Sequence, residues 1–391
     1  MRILVDYRPA LRERTGVGEF MHNLVRAYAH HPDAAGDEMA VFTSSWKDRP
    51  APRLALELSA RVVDRRVPVR ILNYAWHRLE WPPIEALGIA ADVVHAAHPL
   101  LIPSRHAAQV VTIHDLFFLT TPELTRAEIR RDYPGLAPGH ARRADAIVTN
   151  SCYTASLIER RFGVQRSRIH ICSPGPPVWR ALGRAPNVPR DGYVLFVGTL
   201  EARKNVGALL DAYSRLLEGH ARPASLVIAG KSTPDAAGWL DRLSRPPLAG
   251  HVRHLGYVPA ADREGLFAGA RLLVVPSRDE GFGIPALEAM SAGVPVVAAN
   301  RGALPEVLGD AGLLVDPDDA AGLAAAIHRM LTDEGVAIAC AQRGLARARE
   351  FSWERAATAV RHAYATAVEN RCQRRRRAKG PDDPLLRPPF E

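Results

Sequence analysis

Short, unbroken apolar runs alternate along this chain with longer stretches whose apolar residues recur every three or four positions. That is the pattern of strands buried on both faces between amphipathic helices. Ile3 to Val5 is the first such run. The turn Thr15-Gly16-Val17-Gly18 follows it, and then Phe20, Leu24, Val25 and Tyr28 at helical spacing, which predicts strand, glycine turn and helix in that order. Val62 to Arg66, Ala91 to His95, Val110 to Ile113 and Ala144 to Thr149 predict further strands. The last of these runs into Asn150-Ser151, an N-cap for a helix through Ile158 and Phe162.

The alternation stops between Ser173 and Asp191, where Pro174, Gly175, Pro176, Pro177, Pro186 and Pro189 exclude regular structure. It resumes at Tyr193 to Gly198 and continues through Leu226 to Ala229, Val252 to Leu255, Leu272 to Val275, Val294 to Ala298 and Leu313 to Val315. Strands separated by helices predict an α/β fold of two doubly wound, Rossmann-like domains facing each other across a cleft. The expected divisions are an N-terminal domain over 1–172, a Pro-rich linker over 173–191 and a C-terminal domain over 192–351. A last helix over 352–370, capped by Ser352, is placed to pack back on the first domain, and 371–391 forms a basic, disordered tail.

Composition narrows the function. A length of 391 residues with 47% hydrophobic and 24% charged residues fills two cores and excludes a fibrous or disordered chain. No apolar run reaches the ~18 residues of a membrane span, and Asp6 interrupts the stretch a signal peptide would need, so a soluble, cytoplasmic protein is expected. Cys152, Cys172, Cys340 and Cys372 are far apart and predict neither disulfides nor a zinc knuckle. The pairs His95/His98 and His251/His254 are read as packing or surface residues because i and i+3 leave opposite faces of a strand. The net charge of +9 is partly local, since 371–391 carries seven basic residues against three acidic ones. No basic helix or aromatic platform accompanies them, so nucleic acid is not an expected partner.

Four stretches carry candidate chemistry. Gly16-Val17-Gly18 opens a helix whose amides could hold an anion, with a plain tight turn as the alternative. Met21 stands where a dinucleotide fingerprint has its third glycine, which disfavours a nicotinamide enzyme. His114-Asp115 ends an apolar strand, where side chains enter a cleft. Arg203 and Lys204 precede a helix whose dipole disfavours cations there, which a bound diphosphate would reverse; a solvated pair is the alternative. Glu280-Gly281-Phe282-Gly283-Ile284-Pro285-Ala286-Leu287-Glu288 puts two carboxylates around a glycine turn and a first helical turn, suited to sugar or ribose hydroxyls. Asp316-Pro317-Asp318 has D-x-D spacing but is assigned to helix capping.

With E-G-F-G-I-P-A-L-E and the A-M-S-A-G-V-P-V-V that follows it, the chain resembles the retaining glycosyltransferases of family 4, the group 1 glycosyl transferases of GT-B fold. V-T-I-H-D-L, F-V-G-T-L-E-A-R-K-N and T-G-V-G-E-F support the resemblance over about residues 1–370. It implies a nucleotide-sugar donor on the C-terminal domain and a saccharide or polyprenyl-diphosphate-linked acceptor on the N-terminal one. Arg203 and Lys204 would neutralise the diphosphate, with Arg203 substituting for the arginine that many members have in place of Thr199. Glu280 would contact the donor sugar, Glu288 the ribose, and His114 the sugar near its anomeric centre. His114 and Glu280 are the implied catalytic residues. Gly281, Phe282, Gly283 and Ile284 complete the donor loop, and Gly16 and Gly18 border the phosphate and acceptor side. No metal or other cofactor is implied; a GT-B sugar-nucleotide epimerase is the alternative. The H-D-L-F-F-L and G-T-L-E-A-R-K-N variants resemble bacterial mannosyltransferases of polysaccharide assembly, so GDP-mannose is the expected donor. Arg8, Arg12 and Arg14 with Tyr74, Trp76 and Trp81 suit a lipid-diphosphate acceptor at an anionic membrane, helped by Arg374 to Arg377; tryptophans packing a helix are the alternative.

Overall fold

The computed structural model describes residues 1–11, 14, 16–122, 125, 127–179, 191–219 and 223–379. Arg12, linker residues 180–190 and tail residues 380–391, each part of an expectation above, lie outside them. The first sheet contains β1 (Arg2–Asp6), β2 (Glu38–Ser44), β3 (Arg61–Arg65), β4 (Val93–Ala96), β5 (Ala108–Thr112), β6 (Ala146–Thr149) and β7 (Ile169–Ile171). They are parallel, in the order β3-β2-β1-β4-β5-β6-β7. The second sheet contains β8 (Tyr193–Val197), β9 (Ser225–Ala229), β10 (Val252–Gly256), β11 (Ala270–Val275), β12 (Val296–Ala299) and β13 (Gly312–Val315). Its order is β10-β9-β8-β11-β12-β13, also parallel. These are the two Rossmann-like domains that the apolar pattern predicts.

Each strand feeds two cores because successive side chains leave opposite faces. Ile3 and Val5 enter one core of the first domain, and Leu4 enters the other. Leu195 is set against Val194 and Phe196 in the second domain in the same way. In each sheet the strand order reverses once, between β1 and β4 and between β8 and β11. Loops leaving those carboxyl ends diverge and open a crevice, the usual ligand position in an open α/β sheet.

The helix Gly16–Ala29 presses Phe20, Leu24, Val25 and Tyr28 into the core beneath β1. Beside it lies the last helix, Trp353–Lys379, which contributes Ala356, Ala357, Val360, Ala363, Tyr364 and Ala367 to the same core. The first domain is thus completed by the last helix of the described chain. The Tyr364 hydroxyl is hydrogen-bonded to Nδ1 of the fully buried His95 at 2.8 Å, and His95 Nε2 to Thr112 Oγ1 at 2.7 Å. His95 is therefore a satisfied core residue.

Two expectations need correction. The strands β2 and β7 are not among the strands expected above, and the tail expected to be disordered from 371 is helical to Lys379. Its arginines hold it down. Arg371 and Arg375 donate to the Arg105 carbonyl, and Arg374 donates to the carbonyls of Arg143 and Ala144. The carbonyls of Arg143 and Ala144 lie at the end of the helix Ala127–Arg143, where the helix leaves acceptors unpaired. The four cysteines are free thiols, and no described helix is long and apolar enough to cross a membrane.

Tyr364→Phe leaves His95 Nδ1 buried without its partner, at a cost of about 1–2 kcal/mol. Thermal unfolding should therefore show Tm lowered by about 2–8 °C, whereas an unchanged Tm would mean that the hydroxyl contributes nothing to holding the helix.

Candidate active site

The loops after β8 and β11 meet at the second sheet's reversal point, and most of the predicted residues gather there. A short 3-10 turn, Ala202–Lys204, carries Arg203 and Lys204 off β8, and Asn205 takes a left-handed conformation at its end with φ 56°. The Asn205 amide donates to the carbonyls of Pro276 and Pro317, fixing the turn against the loop from β11. Lys204 Nζ then reaches Glu280 Oε1 at 2.6 Å, and Ser277 Oγ donates to the same oxygen at 2.8 Å. Arg203 lies 3.7 Å from Glu280 Oε2 and donates through Nε to Glu201 at 2.6 Å.

Glu280 is 6% exposed, and burial alone would raise its pKa. Lys204 and Arg203 outweigh that and hold the carboxyl below its ordinary range. Burial likewise opposes the charge on Arg203, but Glu280, Asp115 and Glu201 raise its pKa. Asp279 is the residue that sequence reasoning passes over. Burial, then the neighbouring Asp115, pushes it up to about 6, and its Oδ1 is buried without a hydrogen bond among the described residues. Asp115 and Asp279 are far apart in sequence, and nothing local marks them as neighbours.

The first domain closes on this loop. A Cβ on Gly281 would stand 1.8 Å from the His114 carbonyl oxygen, so glycine there is what lets the domains touch. Ser151 Oγ donates to the Gly281 carbonyl at 2.7 Å, and the amides of Cys152 and Tyr153 donate to Glu306 at 2.8 and 2.9 Å. A carboxylate from one domain thus sits on a helix N-terminus of the other, where the dipole favours it. Arg203 lies 5.8 Å from the centre of the Phe117 ring, a further contact across the cleft.

His114 enters at the carboxyl end of β5, edge-on to Phe20 with ring centroids 5.3 Å apart. Burial pushes it down to about 4, against the pull of Asp115, so the imidazole is neutral near pH 7. Asn150 Nδ2 is 3.1 Å from its Nδ1, which leaves the proton on Nε2. That Nε2 is buried and has no hydrogen-bond partner among the described residues. Glu288 shows the same vacancy at Oε2, while its Oε1 meets Arg263 at 2.7 Å. Arg263 also reaches Glu19 of the first domain at 3.6 Å; Arg263 lies in no motif, and Glu19, inside T-G-V-G-E-F, was given no role there.

Other residues take different places. Phe282 is a core side chain, edge-on to Phe351 at 5.5 Å, and Ile284 packs beside that core. Gly283 has φ +96° with Leu304 close by. Gly18 has a packing reason to be glycine, since a Cβ would lie 2.6 Å from the Pro9 carbonyl oxygen, whereas Gly16 is exposed with open space around it. Helix capping after Asp316 falls to Asp319, which accepts from Gly322; Asp316 and Asp318 pair instead with Arg301 and Arg278. Arg8 is not a free loop cation, because both ends of its guanidinium bind the buried Asp6 at 2.8 Å. Arg14 pairs with Glu57 at 3.2 Å. Trp76 is fully buried and donates to the Pro82 carbonyl, so it packs the core, while Tyr74 and Trp81 are 58% and 63% exposed.

Comparison with known proteins places these features in a family. Residues 14–180 match the model for Glycosyltransferase Family 4, and residues 191–333 that for Glycosyl transferases group 1. The O-antigen chain mannosyltransferase B of Escherichia coli is 32% identical over 384 residues, covering 93% of this chain and 99% of that protein. Among solved structures, a sucrose-phosphate synthase from Thermosynechococcus elongatus superposes with TM-score 0.73 at 20% identity, covering 93% of this chain and 98% of its own. HepE of Anabaena, in complex with UDP and glucose, gives 0.72 at 18%, covering 94% and 100%. Both likenesses are of fold.

Burial raises Glu288 to about 7 from an ordinary 4.5, so the folded chain keeps a proton there that the unfolded chain releases. The stabilisation is full below pH 4.5 and is lost as pH rises through 7. Glu288→Gln removes this dependence, so its Tm should gain on that of the native protein between pH 5 and 8. Parallel Tm curves across that range would show that Glu288 does not titrate there.

Proposed function

This chain belongs to the group 1, family 4 glycosyltransferases, and from that membership we propose that it moves mannose from GDP-mannose onto a saccharide carried by a lipid diphosphate, with retention of configuration, in polysaccharide assembly. The observation that carries this reading is the convergence of Lys204 and Arg203 on Glu280 at the second sheet's reversal point, together with buried, unpartnered polar atoms on His114 and Glu288. Lys204 has three donors, and Glu280 is its one hydrogen-bond partner among the described residues, so two remain for a phosphate. The Nε2–H of His114 suits a hydroxyl of the donor sugar, and Oε2 of Glu288 suits a ribose hydroxyl. Near-full-length similarity to a protein named a mannosyltransferase supports the choice of sugar.

In this reading the bond from the anomeric carbon to the diphosphate breaks and positive charge builds on the sugar ring. Lys204 and Arg203 stabilise the charge left on the diphosphate, so the step calls for no metal or other cofactor. Glu280 is engaged by Lys204 and Ser277 through one oxygen, which fits a residue that places a cation and binds a hydroxyl better than a covalent nucleophile. The acceptor hydroxyl then bonds to the anomeric carbon on the face that the diphosphate leaves, and its proton passes to a diphosphate oxygen.

Ile71, Tyr74, Leu79 and Trp81 are each 58–63% exposed within one twelve-residue stretch, 70–81, that also carries Arg70 and Arg78. Aromatic and aliphatic side chains among arginines suit a peripheral contact with an anionic membrane surface. Arg374 and Arg375 support it less than composition implied, since both are bonded to backbone carbonyls.

A thermal-shift panel of GDP-, UDP- and ADP-sugars tests the donor. GDP-mannose at 100 times its Kd should stabilise the chain by about 2.7 kcal/mol, and Lys204→Ala should weaken GDP binding by about 10- to 100-fold. A shift from UDP- or ADP-sugars alone would reject the guanine donor, and unchanged GDP affinity in the variant would reject the clamp. For the membrane contact, the intact chain should sediment with anionic vesicles at low salt, and Leu79→Ser with Trp81→Ser should reduce that. Equal sedimentation of the two proteins would place the contact elsewhere.

A further inference from the structure

The first sheet has its own reversal point, between the carboxyl ends of β1 and β4, and a cavity of about 240 Å³ opens there. Asn73, Tyr74, His77, His98, Asp132 and Tyr133 are among its lining residues. The Ala97 backbone, on the loop leaving β4, lies against the His114 imidazole, and the next residue, His98, lines the cavity, so the cavity adjoins the site already described. Glu280 and Glu288 belong to the other wall of the cleft, and none of the motif residues accounts for this cavity.

His77 is its least explained residue. It is 6% exposed, and its Nε2 is buried with no hydrogen-bond partner among the described residues. Burial holds the imidazole far below its ordinary range, so it meets a ligand uncharged. It sits in a single π-helical turn, Ala75–Leu79, that continues the helix Val69–Tyr74; such turns have poorer hydrogen bonding and recur at functional sites. An unpaired buried nitrogen and an irregular turn at the same residue are both costs to the fold.

The surroundings define the ligand chemistry. Arg8 is locked onto Asp6 and donates to Asn73 Oδ1 at 2.8 Å, which turns the Asn73 amide N–H groups away from that bond. Asp132 is held by Arg78 and Arg131, each at 2.7 Å, so this carboxylate is neutralised by cations already committed to it. Tyr133 stands edge-on to Phe118 at 5.4 Å, and Tyr74, 58% exposed, forms the rim. Two imidazoles, an amide, a compensated carboxylate, two phenol rings and the side chains of Arg70 and Arg131 around a small cavity make a surface for hydroxyls and a pyranose face.

We propose that this cavity is the subsite for the terminal sugar residue of the acceptor, taking one uncharged pyranose with His77 Nε2 hydrogen-bonded to a ring hydroxyl and Tyr74 against the ring face. The assignment rests on the glycosyltransferase reading and adds to it where the acceptor sugar docks and by which side chains it is recognised.

Saturation-transfer NMR with methyl α-mannopyranoside and methyl N-acetyl-β-glucosaminide, on the full chain with GDP present, tests it directly. At least one glycoside should bind. His77→Ala and Tyr74→Ala should each weaken that binding about tenfold, and His77→Gln, which restores a polar group, should recover part of the loss. All three variants should keep the thermal shift produced by GDP. Binding within about twofold of the native protein in both alanine variants, or no glycoside binding to the native chain, overturns the subsite. Loss of the GDP shift in the native chain overturns the donor reading instead. Should His77→Ala fail to fold, Tyr74→Ala at the exposed rim decides the matter alone.

Discussion

An ionised carboxylate buried between two cations organises this protein. Taking Glu280 out of water costs several kcal/mol unless its partners are well placed, and here Lys204 and Ser277 share one of its oxygens while Arg203 faces the other. Those partners come from two strands that are neighbours in space and far apart in sequence, so the loops after β8 and β11 must converge closely. Glycine makes that possible. A Cβ on Gly302 would lie 2.6 Å from both the backbone nitrogen and the oxygen of Glu280, and one on Gly281 would strike the His114 carbonyl. The electrostatic demand of one side chain thus sets the backbone requirements around it, including the place where the first domain touches the second.

That touching surface is polar. Ser151 to Gly281, Cys152 and Tyr153 to Glu306, and Arg263 between Glu288 and Glu19 are hydrogen bonds and ion pairs. Contacts of this kind exchange readily with water, so hinge motion between the domains is the expected behaviour. The deep apolar packing lies within each domain, where it keeps the site residues rigid relative to their own sheet.

How much of this was legible depended on how local each feature is. The strands of the second sheet are apolar runs bounded by glycine, proline or charge, and all six can be read directly. The three-residue edge strand β7 presents too short a run, whereas β2, with Met39 to Phe42 between Gly36-Asp37 and Ser44-Ser45, carries a strand signal that went unused. The Glu280 to Glu288 motif is legible because its residues are contiguous. Asp279, Arg263, Glu19 and Glu306 act through partners distant in sequence, and composition says nothing of that. Trp76 and Arg8 misled for a related reason: scarce aromatics and loop arginines look like surface chemistry until a core closes over the ring and a buried aspartate claims the guanidinium. The arginines after 370 look like a solvated tail because the carbonyls they bind, those of Arg105, Arg143 and Ala144, lie more than two hundred positions earlier.

The last helix also constrains how the chain is made. Tyr364 and its alanine neighbours fill a core whose other walls are β1, β4, β5 and the helix Gly16–Ala29, all synthesised first. A ribosome adding about 5–20 residues per second needs about 10–40 s to go from the end of the first sheet to that helix. Throughout that interval the nascent first domain carries an uncovered apolar face, while the second domain, with its strands contiguous in sequence, has all it needs to fold on emergence. Completion therefore runs against the order of the genetic message: the strands of the first domain are made first, yet its core lacks a wall until after the last residues of the second domain's cores have been made.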